Sequence, residues 1–149
     1  MVGGFLFTGL AMKLESKPFQ ELPDLDFICD EIGELSLPEG WKTTRTRFGG
    51  PKFTTPKFII DLWCLRDHKN ISRKELPPTI ENYLATVPLT SQAIAYDLNR
   101  NCLLGEIWKE SLISRTIRVH DSESFEVDRS VQVIKGYRKA VSLGYNFLG

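Results

Sequence analysis

Between Lys57 and Arg66 apolar residues fill both alternating sets of positions, with Phe58, Ile60, Leu62 and Cys64 on one side and Ile59, Trp63 and Leu65 on the other. Asp61 is the exception. A run that is apolar on both faces predicts a central strand covered from two sides. The preceding arm, Trp41 to Phe48, is rich in threonine and aromatic residues, which favour a pleated backbone. Gly49-Gly50-Pro51 separates the arms as a turn, because glycine accepts positive φ and proline cannot donate to a ladder. The two arms read as a hairpin around which the chain is organised. A carboxylate inside it needs a partner, and Arg45 or Arg47 on the neighbouring arm could supply one.

Alternation also dominates the second half. In Ala93 to Leu98 the larger apolar residues Ile94, Tyr96 and Leu98 occupy every second position, and Cys102 to Lys109 returns after the turn Asn99-Arg100-Asn101. A helix over those residues competes with that hairpin. Ile113, Ile117 and Val119 suggest a further strand, and Asp121 to Ser124 a turn. Phe125, Val127, Val131 and Val133 are interleaved with Glu126, Asp128, Ser130 and Gln132, and Val141, Leu143, Tyr145 and Phe147 close the chain on another strand.

Helical spacing is confined to two places. Asp24 reads as an N-cap for a helix through Glu34, with Leu25, Ile28 and Ile32 on one face. Pro77-Pro78 opens a second, carrying Ile80, Tyr83, Leu84 and Val87, which Pro88 ends. His68 to Glu75 reads as an exposed loop. The sum is a β-rich α+β fold: an antiparallel meander or partly closed barrel of about seven strands with two short helices.

A chain of 149 residues has room for one real core. Residues 1–12 are expected to form a flexible N-terminal extension, with Met12 as an alternative start, and residues 13–149 a single β-rich domain. The opening MVGGFLFTGLA lacks the basic region of a signal peptide and is too short to span a bilayer.

The net charge is zero, which leaves no global field to draw the protein to nucleic acid or a membrane. The distribution is uneven. Lys13 to Glu39 holds eight acids and two bases, whereas Gly40 to Ile60 holds five bases and no acid. An acidic segment beside a basic one can neutralise it on folding. Cys29, Cys64 and Cys102 form no framework, which points to a reducing, cytoplasmic setting.

No motif in the sequence identifies an activity. Cys29, Cys64, His68, Cys102 and His120 lack the spacing of a metal site. A thiol nucleophile could be drawn from Cys64 with His68 or His120, but buried, inert cysteines explain the same residues. Glu106 and Lys109 with Asp61 depart by one residue from the Glu-x-Lys of a nuclease site, and both common phosphate-binding glycine motifs are absent. The expectation is therefore a non-catalytic binding or accessory module, without cofactor, metal or membrane attachment and of open oligomeric state. It would meet a protein or nucleic-acid partner through the basic hairpin, using Trp41, Lys42, Arg45, Arg47, Lys52, Lys57 and Asp61, with Phe48 and Phe53 available for stacking. A small-molecule carrier with an apolar barrel pocket lined by Trp41, Trp63, Trp108 and Tyr145 is the alternative, and a small enzyme comes third.

Overall fold

The strand centred on Asp61 forms as its two-sided apolarity predicts. In the computed structural model, which describes residues 1–18, 24–46 and 49–149, the principal sheet contains β1 (Asp24–Cys29), β2 (Lys42–Arg45), β3 (Pro51–Thr54) and β4 (Ile59–Cys64) in the order β1-β4-β3-β2. β4 is interior. It runs parallel to β1 and antiparallel to β3, which pairs in turn with β2. The expected two-armed hairpin is thus really three strands, because Pro51–Thr54 pairs on both sides. Proline is tolerated there as the first residue of its strand.

β1 corrects the expected helix over Asp24 to Glu34. Asp24-Leu25-Asp26-Phe27-Ile28-Cys29 alternates in strand period, and each residue has a register partner from Ile59 to Cys64. The acids sit where apolar residues would have revealed the strand, so Leu25, Ile28 and Ile32 mimicked a helical face.

The first residues pack into the fold. Val2 bridges both Asp26 and Ala95, with its amide donating to Asp26 O at 2.9 Å. α1 (Gly4–Leu14) follows and buries Phe7, Thr8 and Ala11. Phe7 and Ala11 join Leu89, Ile94, Trp108, Ile117, Phe125, Ala140 and Leu143 in one core cluster. A second cluster joins Val2, Leu65, Tyr83, Leu84 and Val87 to Trp63 and Ile28 on one face of the principal sheet.

His68 to Glu75 is not an open loop: it contains α2 (Lys69–Arg73), anchored by the buried Ile71. α3 (Ile80–Ala85) forms where its spacing predicts, capped by Thr79, whose hydroxyl accepts from the Asn82 amide. β5 (Ala95–Asp97) and β6 (Cys102–Leu104) make the expected hairpin, with Asn101 left-handed at φ 55°.

Beyond it the alternation misleads. α4 (Ile107–Ser114), α5 (Ser122–Val127) and α6 (Arg129–Leu143) are helices, and only β7 (Thr116–Arg118) and β8 (Asn146–Leu148) pair there, in parallel. α6 buries Gly136, Ala140 and Leu143, a helical stripe of mostly small residues, and leaves Val131, Val133, Ile134, Tyr137 and Val141 exposed. The α+β class stands. The β-rich meander or barrel does not: the described residues hold a mixed four-stranded sheet, two two-stranded sheets, six helices and no closed barrel. With no barrel, the apolar-pocket carrier loses its cavity. No helix among the described residues is long and apolar enough to cross a membrane.

Candidate functional site

Strand geometry collects three carboxylates on one face. Successive side chains alternate across a strand, so Asp24 and Asp26 share a face of β1. Asp26 is the register partner of Asp61 on β4, and Asp61 of Lys52 on β3. Lys52 Nζ lies 3.0 Å from Asp61 Oδ1 and donates to Oδ2 at 3.3 Å. Oδ1 is buried and accepts no well-formed hydrogen bond among the described residues, so the nearby ammonium charge is its compensation. Lys52, and not Arg45, is the partner that Asp61 finds among the described residues.

Like charges crowd this face. Burial, then the Asp24 and Asp61 carboxylates, raise Asp26 from an ordinary 3.8 to about 6, with Lys135 and Lys52 acting against the shift. The Lys52 ammonium is held above its usual value, chiefly by its hydrogen bond to Asp61.

Asp26 also lines a cavity of about 550 Å3, together with Gly3 and Gly4, residues of the α2 segment, Tyr83, and Gln132 on α6. Gly3 has φ 88°, a left-handed conformation that suits glycine, and precedes α1 directly. A Cβ there would come within 3.5 Å of Asp26 Oδ2, so the backbone passes close to the carboxylate. A helix start leaves its first amides without intrahelical acceptors and carries the positive end of the dipole. An anion and a cation are thus both provided for within one corner.

The cavity wall is polar and incompletely paired. His68 Nδ1, Gln92 Oε1 and Gln132 Oε1 are buried and lack hydrogen-bond partners among the described residues, and all three residues line the cavity. Glutamine oxygen and nitrogen are interchangeable by a flip, so each marks an unmatched amide end. His68 stacks on Trp63 at 5.1 Å and meets Tyr83 edge-on at 4.9 Å. Burial lowers its pKa to about 4, which leaves the ring neutral at physiological pH. Burial, and then the Asp26 charge, keep the Tyr83 hydroxyl protonated.

The other sequence candidates scatter. Half-buried Trp41 packs against Phe53 and Phe58 with ring centroids at 6.2 and 5.8 Å. Lys42 shares the carboxylate face through its register with Thr54. Arg45 lies on the opposite face and donates to Gly49 O at 3.4 Å, and Lys57 is exposed in the β3–β4 turn. Arg47 and Phe48 lie outside the described residues. Glu106 and Lys109 form an exposed pair on α4, and the His120 ring contacts Leu84 O at 3.1 Å.

No family model and no curated protein matches the sequence. Solved structures do. The chain has the fold of part of known CCA-adding enzymes. It aligns with a CCA-adding enzyme in complex with CTP at TM-score 0.67 and 20% identity, over 98% of this chain and 35% of that one. A tRNA-processing enzyme with CTP aligns at TM-score 0.65 and 20% identity, over 99% and 39%. A CCA-adding enzyme with ATP aligns at TM-score 0.63 and 19% identity, over 98% and 34%. The chain therefore spans little more than a third of the length of these proteins. The likeness overturns the expectation of a non-catalytic module built on a basic hairpin: the fold is shared end to end with part of these enzymes. Within it the basic residues divide between two faces, and Lys52 is already engaged by a carboxylate.

Sequence reasoning isolated Asp61 but missed Gly3, Gly4, Asp24 and Asp26. The available signal was two acids at i and i+2 in an apolar run, preceded by a glycine pair at the head of an apolar helix.

Proposed function

We propose that the chain is a nucleotidyltransferase-type domain that binds a nucleoside triphosphate of the CTP or ATP kind at the Asp24, Asp26 and Asp61 face. The observation that carries the reading is the register pairing of Asp26 with Asp61 beside the Gly3-Gly4 helix start. The fold likeness to proteins whose structures hold CTP or ATP supports it. A cavity of about 550 Å3 is of the size that small-ligand sites usually have.

Such chemistry calls for a divalent cation beside the triphosphate. Among the described residues no group of three or more His, Cys, Asp or Glu converges as a ready-made metal cage. A magnesium ion needs no such cage, since one or two carboxylates plus substrate phosphates and water complete its shell. The buried Asp61 Oδ1, which accepts no hydrogen bond among the described residues, and the adjacent Asp26 fit that requirement. Asp26 and Asp61 would hold the ion, with Asp24 beside them. When bound, it would neutralise phosphate charge and polarise the phosphorus under attack.

The chain's own residues then position the reactants. The start of α1 receives phosphate oxygens, and the cavity with its unmatched amide ends takes the nucleoside. An acceptor hydroxyl oxygen bonds to the α-phosphorus, the bond to the β-phosphate breaks, and pyrophosphate leaves. The hydroxyl proton passes to solvent. Lys42, on the same face, is suited to the backbone of a polynucleotide acceptor, which keeps nucleic acid as the partner class.

Titration calorimetry of CTP and ATP with Mg2+ tests the reading. Saturable binding is expected, weakened by about tenfold or more in both Asp61→Asn and Asp26→Asn. Binding that neither substitution weakens, or no binding at all, would remove the proposal.

A further inference from the structure

We propose that Lys52 is a built-in counter-ion for the carboxylate face, competes with the divalent cation for it, and so sets the cation concentration at which the site loads. This rests on the reading of Asp26 and Asp61 as the cation's ligands.

The argument begins with position. Directly opposed residues on antiparallel strands hold their Cβ atoms about 5 Å apart, and Lys52 is the partner of Asp61 on β3. Its ammonium lies 3.0 Å from Oδ1, the carboxylate oxygen that accepts no hydrogen bond among the described residues. Its charge also acts on Asp24 and Asp26. One lysine therefore serves three acids, assisted at Asp26 by Lys135 from α6.

A magnesium or manganese ion bound by Asp61 would sit about 2.1 Å from a carboxylate oxygen. That places a double positive charge within a few ångströms of the present Nζ, where like charges repel strongly. Cation and ammonium exclude each other.

Lys52 is able to leave. Its side chain is one-third exposed, so a rotation of the flexible stem carries Nζ to solvent without disturbing the strand. The lysine thus relieves charge crowding in the empty site and yields when cation and phosphate arrive together. Free phosphate oxygens also offer the displaced ammonium a new partner.

The test is Mn2+ binding followed by electron paramagnetic resonance of the free ion, with and without CTP. Lys52→Met and Lys52→Gln are each expected to bind Mn2+ about tenfold more tightly than the wild type in the absence of nucleotide. Lys52→Arg, which keeps the charge, is expected to bind more weakly than Lys52→Gln. In the Asp61→Asn background the gain from Lys52→Gln should vanish. Equal or weaker Mn2+ binding by both neutral variants, with wild-type binding intact, would overturn the counter-ion role and leave the cation site standing. If neither the wild type nor a neutral variant binds Mn2+ at any nucleotide concentration, the cation-site reading falls as well. A merely structural Lys52 would show lowered thermal stability in both neutral variants and no gain in Mn2+ affinity.

Discussion

Asp26 and His68 face the same cavity with opposite responses to protons. The Asp26 carboxyl is raised from 3.8 to about 6 in the folded protein. An acid shifted upward favours the folded state only where it is protonated there. Its contribution is full below pH 4 and is lost as pH rises to about 6. His68 is lowered from 6.5 to about 4 by burial, so its contribution is full above pH 6.5 and is lost as pH falls toward 4. Each shift corresponds to roughly 3 kcal/mol, and the two oppose each other across that window. Asp26→Asn is expected to raise stability at pH 7.5 by roughly 2 kcal/mol or more, with the gain shrinking toward pH 4. Its own stability should then decline steadily from pH 6.5 to 4, with His68 unmasked. Thermal or urea unfolding across that range checks this; a variant destabilised at pH 7.5 would contradict it. At this scale the sequence spoke clearly only for Asp61, because one charge in an apolar run is conspicuous. Asp24 and Asp26 lie in an acid-rich stretch where their density conceals them, and the unusual state of His68 depends on Trp63 and Tyr83, which only folding brings to it.

Elements were legible where local chemistry and packing agree. The β5–β6 hairpin follows from Asn101, which accepts a left-handed φ, and α3 from prolines followed by apolar residues at helical spacing. β1 was hidden because alternate positions on one of its faces carry acids, Asp24 exposed and Asp26 half-buried, a local conflict of the kind functional sites tolerate. α6 was hidden for another reason. Its buried stripe is Gly136, Ala140 and Leu143, mostly too small to register as hydrophobic, whereas Val131 and Val133, which suggested a strand, face outward. The close approach of α6 to β8 makes this concrete. A Cβ on Gly136 would fall 2.4 Å from Phe147 Cε2 and 2.8 Å from Cζ. Alanine favours a helix interior by about 1 kcal/mol over glycine, but overpacking costs typically 1–3 kcal/mol. Gly136→Ala is therefore expected to lose about 1 kcal/mol in urea unfolding. A net gain would mean that the helix and Phe147 do not meet this closely.

For the molecule as a whole, zero net charge conceals the arrangement that matters: acids from β1 and β4 and one lysine from β3 share a sheet face, and Asp26 on that face lines a cavity with the glycine-led helix start. These come from residues 3–4, 24–26, 52 and 61, and the parallel β1–β4 pairing unites them. Parallel pairing requires a long crossover, and the β2–β3 hairpin supplies it here, which is why a purely antiparallel reading could not assemble the site. The central claim is that Asp26 and Asp61 bind a divalent cation together with a nucleotide. Backbone amide NMR spectra recorded with Mn2+ and CTP test it most directly. Broadening should centre on Gly3, Gly4, Asp24 to Phe27 and Ile60 to Leu62 and should disappear in Asp61→Asn. Broadening that centres instead on the exposed acids Glu123 and Glu126, or that persists in Asp61→Asn, would contradict the account.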